Sequence, residues 1–285
     1  MHTTALPAHQ KLLDALRLAN RAPSAHNTQP WHWLVGGYSV HLMADRSRHV
    51  PGTDPGERDL VIGCGAALHH LRVALAALGW HAEVDLLPGA DHDHLASVET
   101  LPCDPSERDI AMVRAIPRRH TDRGPFTSWP VPAGHLDLMA CHAATAGGLL
   151  VPVTDPAARR LVTTAIAAAD GWQEEPRPGD CPGELLVLAT ADDDVLSRLR
   201  AGEAASAALL AATSLGLATC PLSRPLRVGR TRARLRDEVL RDATHPHLVL
   251  RVGWAATEPR TRTARRPVGE TVTYLPGTCP RRDEH

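Results

Sequence analysis

Lysine is almost missing from this chain: Lys11 is the only one among 31 basic residues, so the other thirty are arginines. Aromatic residues are nearly as scarce, at 3% of 285 residues, with a single phenylalanine. So few stacking surfaces argue against single-stranded nucleic acid. A formal net charge of -1 provides no overall field to draw in nucleic acid or anionic lipid. Neither class of partner is expected.

Other absences narrow the chemistry. Met1 to Leu18 carries no basic leader followed by an apolar stretch, and the most apolar segment, Leu60 to Trp80, is interrupted by His69, His70 and Arg72. Secretion and membrane insertion are not indicated, so a cytoplasmic protein is expected. The six cysteines (Cys64, Cys103, Cys141, Cys181, Cys220, Cys279) form no C-x-x-C pair and no metal spacing, which suits reduced thiols. Neither G-x-S-x-G nor H-E-x-x-H occurs, which removes the hydrolase elbow and the zincin helix. The tract Asp91-His92-Asp93-His94 suits a metal or a solvated loop.

What is present describes a folded chain. Hydrophobic residues make up 43% and charged residues 22%, ordinary globular values, and 285 residues allow one large unit or two interlocked smaller ones. Periodicity predicts a short helix around Leu12 to Leu18 and a hairpin over Trp31 to Ala44, with Gly36-Gly37 supplying positive φ at the turn. A long Ala- and Leu-rich helix is expected from Asp59 to Leu78 with Gly79 as its C-cap, then a strand from Ala82 to Leu87. Pro88 to Pro105 reads as a punctuated loop. Helices follow at Glu107 to Ala115, His135 to Ala146 and Ala157 to Ala169, and strands at Leu149 to Val153, Leu185 to Ala189 and His247 to Val252. Gly65 to Gly79 aligns without gaps on Gly202 to Gly216, which suggests an internal repeat of a helix running into a strand.

Two stretches carry candidate chemistry. In Arg21 to Trp31, Ser24, Asn27 and Gln29 offer mixed donors and acceptors while Pro23 and Pro30 stiffen the loop, a combination that suits the edge of a flat polar ring or simply ends a helix. In Arg118 to Arg123, guanidinium groups and the Thr121 hydroxyl suit a phosphate, or form a solvated basic turn partly neutralised by Asp122.

Together these stretches resemble the FMN-dependent nitroreductases, and especially their Acg-like branch. Pro23-Ser24-x-x-Asn27-x-Gln29-Pro30-Trp31 is similar to the family's flavin-ring loop, and Arg119-His120-Thr121-x-Arg123 to its phosphate and ribityl motif. Arg265-Arg266-Pro267 resembles the closing phosphate clamp. The order is inverted relative to an ordinary nitroreductase, where the arginine motif comes first and the flavin sits between two subunits. The resemblance therefore implies an α+β protein with mixed sheets flanked by helices, built as two unequal copies of the nitroreductase-like fold. Residues 1–105 would carry the ring loop and 106–285 the phosphate motif, sharing one FMN. The second copy's own ring loop, expected within His135 to Val153, has decayed.

The implied cofactor residues are Pro23, Ser24, Asn27, Gln29, Arg119, His120, Thr121, Arg123, Arg265 and Arg266. Arg123 replaces the lysine that many relatives place near flavin N1 and O2, since Lys11 lies outside the motifs. Where relatives have Pro-x-Glu-Gly near the flavin N5 edge, this chain reads Pro221-Leu222-Ser223-Arg224. The implied activity is hydride transfer from NAD(P)H through FMN to a small nitroaromatic or quinone-like acceptor, by a monomeric pseudo-dimer or a homodimer. The alternative is a non-enzymatic FMN binder whose flavin is covered by Pro88 to Cys103 or Gly171 to Pro182.

Overall fold

A computed structural model describes residues 6–170, 183–257 and 263–278. The chain opens with helix α1 (His9–Ala19), strands β1 (Trp31–Val35) and β2 (Ser39–Ala44), the long helix α2 (Arg58–Ala77), and strands β3 (Trp80–Leu86) and β4 (His94–Pro102). Then come α3 (Glu107–Ala115), α4 (Ala133–Thr145), β5 (Leu149–Pro152), α5 (Pro156–Asp170) and β6 (Glu184–Thr190). The last elements are α6 (Val195–Ser214), β7 (Ala218–Leu222), α7 (Gly229–Glu238), β8 (His245–Gly253), α8 (Val268–Thr271) and β9 (Val272–Tyr274).

The strands form two sheets. One runs β3-β4-β2-β1-β9, antiparallel except for the parallel β1/β9 pair, and the other runs β5-β6-β8-β7, antiparallel throughout. β9 comes from the far end of the chain yet pairs with β1, Trp33 opposite Val272, so the C-terminal arm is sewn into the first sheet. Asn20 fastens that seam: its buried carbonyl oxygen accepts from the indoles of Trp31 (2.9 Å) and Trp33 (3.3 Å), and its amide donates to Thr271 (2.7 Å). A buried amide with all these bonds satisfied avoids the desolvation cost and orients both tryptophans.

Helices α2 and α6 lie between the sheets and share the most extensive contact in the molecule. Their close approach follows from glycine. A Cβ on Gly65 would stand 2.0 Å from the Leu199 carbonyl oxygen, and one on Gly202 would stand 2.1 Å from the Ile62 carbonyl oxygen. At the same crossing His69 Nδ1 and Ser206 Oγ lie 2.9 Å apart across a separation of 137 residues. That separation also relates Gly65 to Gly202 and Ile62 to Leu199, so the crossing contacts are reciprocal, as at a twofold interface. By length and composition α2 could cross a membrane. Here most of it is buried among α1, α3 and α6, as a core helix.

Several expectations are corrected. Pro88 to Pro105 is not a loop throughout, because β4 (His94–Pro102) occupies half of it and pairs with β3 on one side and β2 on the other. The hairpin stands where it was expected, but Gly36 and Gly37 do not have positive φ; its turn closes with Gly36 N–H donating to Ser39 O at 2.8 Å. Gly79 does take positive φ, 87°, at the end of α2. No metal cluster occurs among the described residues, and Asp93 of the acidic His tract instead pairs with Arg46. Cys64, Cys103 and Cys141 are free thiols, while Cys181 and Cys279 lie outside the described residues.

Candidate functional site

The site begins where α1 ends. Pro23 stops the helix, and residues Ala25–Asn27 make one 3₁₀ turn, Asn27 N–H donating to Ser24 O at 3.1 Å. His26, Asn27 and Gln29 then all adopt left-handed backbone, φ 52°, 56° and 50°. Three such non-glycine residues among four store strain of order 1 to 3 kcal/mol each, which the surroundings must hold in place. They do so by Gln29 N–H donating to Ser24 Oγ (2.9 Å) and by Asn27 Nδ2 donating to Ala264 O (3.0 Å).

The arginine stretch is positioned by α3. Backbone N–H groups of Arg118 and Arg119 continue the helix by donating to Ala115 O at 3.0 and 2.8 Å. Asp122 N–H then donates to Thr219 O of β7 at 2.8 Å, and Arg251 of β8 donates to Gly124 O at 2.7 Å, so the turn is tied to the second sheet.

These stretches, about ninety residues apart in sequence, meet around two adjoining cavities. The larger, about 490 Å³, is lined by Ser24, Gly63, Ala66, Thr121, Leu209 and Pro221 among others. The smaller, about 260 Å³, is lined by Arg21, Asn27, Arg119, His120, Thr263 and Arg265. Pro23, Ser24, His26, Thr121 and Arg123 line both, so the two are continuous. The larger wall is mostly apolar and the smaller is cationic.

Arg119 is the electrostatic centre of the smaller cavity. It is 6% exposed, and its Nε and Nη1 are buried without a hydrogen-bond partner. Burial, then the neighbouring Arg265 and Arg21 guanidinium groups, push its pKa down to about 9. Burial and Arg21 likewise lower that of Arg265, whose Nη1 donates to Asn27 Oδ1 at 2.9 Å. Behind Arg119 the wholly buried His70 is held neutral well below the usual imidazole range, first by burial and then by Arg119. An orphaned buried guanidinium beside two others fits an anionic ligand group and little else.

Of the ten residues read from the sequence, Pro23, Ser24, Asn27, Arg119, His120, Thr121, Arg123 and Arg265 line the cavities. Gln29 and Arg266 do not. Gln29 is 4% exposed, and its Oε1 accepts from the Arg266 backbone N–H at 2.8 Å. Arg266 donates to Gln29 O (3.2 Å), Trp31 O (3.3 Å) and Glu270 O (2.9 Å) and meets Asp45 at 3.3 Å. Both sew the C-terminal arm to the ring loop instead of facing a ligand, because two helix-free backbone segments must satisfy their polar groups there.

Sequence reasoning missed Arg21, His26, Asp59, Arg227 and Arg251, all of which line a cavity. Asp59 sits in the first turn of α2, 2.6 Å from Arg227 Nη2 and 2.9 Å from Ser223 Oγ. Arg227 Nη2 also lies 3.3 Å from His26 Nε2. Only Arg21 and His26 had a sequence signal, as members of the ring-loop stretch Arg21 to Trp31. Pro221 to Arg224, the departure noted at the N5 edge, lines the larger cavity as a whole.

The fold and the cavities define a class: an α+β protein with a largely apolar cavity adjoining a smaller cationic one. No family model matches the chain. Among known proteins, it is 38% identical to "Putative NAD(P)H nitroreductase Rv3131" of Mycobacterium tuberculosis, across 95% of this chain and 93% of that protein. It is 32% identical to "Putative NAD(P)H nitroreductase acg" of the same organism, across 90% and 93%. Among solved structures, a nitroreductase with bound FMN from Desulfitobacterium hafniense aligns over 58% of this chain and 98% of its own, at 16% identity and a TM-score of 0.46. The chain belongs to the NAD(P)H nitroreductase family of its mycobacterial relatives.

Proposed function

We propose that this chain binds one FMN and is an oxidoreductase that passes electrons from NAD(P)H to a small organic acceptor of nitroaromatic or quinone type. The observation that carries the reading is Arg119, buried and without an anionic partner beside Arg21 and Arg265, in the wall of a cationic cavity that adjoins the larger, mostly apolar one. FMN joins a flat ring to a phosphate, and when bound it supplies the hydride chemistry.

The chain's residues hold and orient it. Arg119 and Arg265 take the phosphate, with Arg21 adding charge, and Thr121 stands at the junction for the ribityl chain. Pro23 and Ser24 fix one edge of the ring, and Gly63 lets α2 approach, since a Cβ there would already meet Ser24 Cβ at 3.3 Å. Arg123 places a positive charge beside the ring without the lysine used elsewhere, an electrostatic contribution oriented before any reaction begins.

One cofactor per chain follows from how the mirrored position is filled. Ala66 and Leu209 line the larger cavity. Displaced from them by the 137 residues that separate His69 and Ser206 stand Glu203 and Arg72, which pair at 2.8 Å with Glu203 4% exposed. An ion pair whose Glu203 carboxylate is buried thus occupies the place of the two small or apolar wall residues. This supports two unequal copies with one working site, an N-terminal part of about residues 1–105 and the remainder sharing the flavin. The arm from Ala264 to Tyr274 crosses back to the first part. The reading as an occluded flavin binder loses one of its two covers, since β4 lies inside a sheet; the other, Gly171 to Pro182, lies outside the described residues.

The test is anaerobic. The purified protein should be yellow with one FMN per chain, and excess NADPH or NADH should bleach the flavin band. A flavin that stays oxidised would favour sequestration, and a protein unable to take up FMN would remove the cofactor assignment.

A further inference from the structure

Helix α2 carries two adjacent histidines that turn different ways. His69 Nδ1 meets Ser206 Oγ of α6 at 2.9 Å, at the helix crossing. His70 turns instead to the end of α1, its Nδ1 3.4 Å from the carbonyl oxygen of Leu18. A carbonyl only accepts, so Nδ1 carries the ring proton and donates. The ring is wholly buried and takes no second proton, first because of burial and then because of the charge on Arg119, with His69 and Arg265 acting in the same direction. A neutral ring protonated at Nδ1 leaves Nε2 as an unprotonated lone pair, and that atom is buried without a partner. Arg119, the charged side chain that acts most strongly on His70, holds donors in the same condition: its Nε and Nη1 are buried and unpartnered. An unmatched acceptor and unmatched donors each bear a desolvation cost, and a hydrogen bond between them removes both.

We infer that His70 is the positioning residue for Arg119: its Nε2 accepts from the guanidinium, by a small turn of that side chain or through one buried water, and fixes from behind the group that takes the cofactor's phosphate. The bond favours the charged form of Arg119, against the burial and the Arg265 and Arg21 charges that disfavour it. A carboxylate in the same place would orient Arg119 as well, but it would neutralise the guanidinium and compete with the phosphate. A neutral acceptor orients the side chain and leaves its charge to the ligand. This inference rests on the flavin reading above, through the phosphate at Arg119.

The experiment titrates the wild type, His70→Leu and His70→Gln with FMN and with riboflavin, which has the same ring and no phosphate. Leucine removes the acceptor, whereas glutamine keeps an amide N–H for Leu18 O and a carbonyl for Arg119. His70→Leu should bind FMN about tenfold more weakly, the worth of one hydrogen bond to a charged group, with riboflavin affinity unchanged. Its FMN affinity should also begin to fall at a lower pH than in the wild type, because Arg119 without the acceptor gives up its proton more readily. His70→Gln should restore both the affinity and the pH profile. In the wild type, imidazole nitrogen NMR shifts should show His70 protonated at Nδ1. Equal losses of FMN and riboflavin affinity in His70→Leu would mean a packing role and overturn the inference while leaving the flavin reading intact. An unmoved pH profile or a ring protonated at Nε2 would overturn it too. A wild-type protein that cannot load FMN overturns the flavin reading, and this inference with it. If His70→Leu does not fold, the more flexible His70→Met removes the same acceptor, and the wild-type tautomer is read in either case.

Discussion

A guanidinium closed off from water beside two others raises the energy of the ligand-free protein, and an anion removes that cost. Arg119 is in this position, with a pKa brought down to about 9 by burial and then by Arg265 and Arg21. Replacing it with methionine should weaken FMN binding by about 2 kcal/mol through lost phosphate contacts. A second signature separates this from a general loss of fold. The ligand-free Arg119 loses its proton through pH 9, whereas a bound phosphate holds that proton on. FMN affinity should therefore fall as pH rises above about 9, and Arg119→Met should lose this slope. Fluorescence titrations of FMN from pH 7 to 10 would check it; an unchanged slope in the variant would take Arg119 out of the phosphate site. The same bookkeeping for folding has the opposite sign. The unfolded chain keeps its arginine protonated above pH 9 while the native one does not, so ligand-free stability gains from this group as pH rises past 9.

At the scale of elements, the crossing of α2 and α6 sets the geometry of the cavity, because both helices contribute to its wall. Gly65 meets the Leu199 backbone and Gly202 the Ile62 backbone, so an added methyl cannot be absorbed by a side chain turning away. Gly65→Ala should cost roughly 3 kcal/mol or more, as overpacking against backbone does. Gly89→Ala, whose Cβ would meet nothing within 4 Å, should stay within about 0.5 kcal/mol. Urea midpoints of the two variants test the pair, and equal midpoints would mean that the helices do not cross at their glycines. The alignment of the two Ala-rich stretches was visible in the sequence. Their reciprocal contacts were not, since nothing in either stretch says which faces meet.

For the whole molecule, burial of histidines couples stability to acid. Burial holds His69 near 3 and His247 near 4, with Arg72 and Arg58 respectively as the next causes. His247 is 1% exposed, its Nε2 2.6 Å from Thr190 Oγ1. Each imidazole stays neutral in the native protein while its unfolded counterpart protonates below about pH 6.5. The stability contributed by each is thus complete above pH 6.5 and lost as pH falls toward its native value. At pH 5 the loss is roughly 2 kcal/mol for each group. Denaturation curves at pH 7 and pH 5 should differ accordingly, and His247→Asn should narrow the difference. A pH-independent midpoint would place these side chains in water.

Much of the candidate site was legible as chemistry. The left-handed loop needed prolines and short polar side chains close together, and the anion site needed adjacent arginines, so local composition carried both signals. Helix and strand positions followed from periodicity for the same reason, as with α3, whose capping box joins Ser106 and Asp109. Gln29 and Arg266 lay within such motifs yet face away from the cavities, because which side of a stretch meets the ligand depends on what packs behind it. Pro88 to Pro105 looked like a loop by its polar punctuation, and only the two neighbouring strands made His94–Pro102 within it β4. Arg227, Arg251 and Asp59 carried no local pattern at all. They reach one wall because the helix crossing and the β7-β8 pairing bring three distant segments together. The sequence by itself determined the local chemistry, the element periods and the family resemblance, all properties of neighbours along the chain. Tertiary structure alone decided which charges are buried, which are paired and which share a cavity, since desolvation and Coulomb energy depend on distance in space.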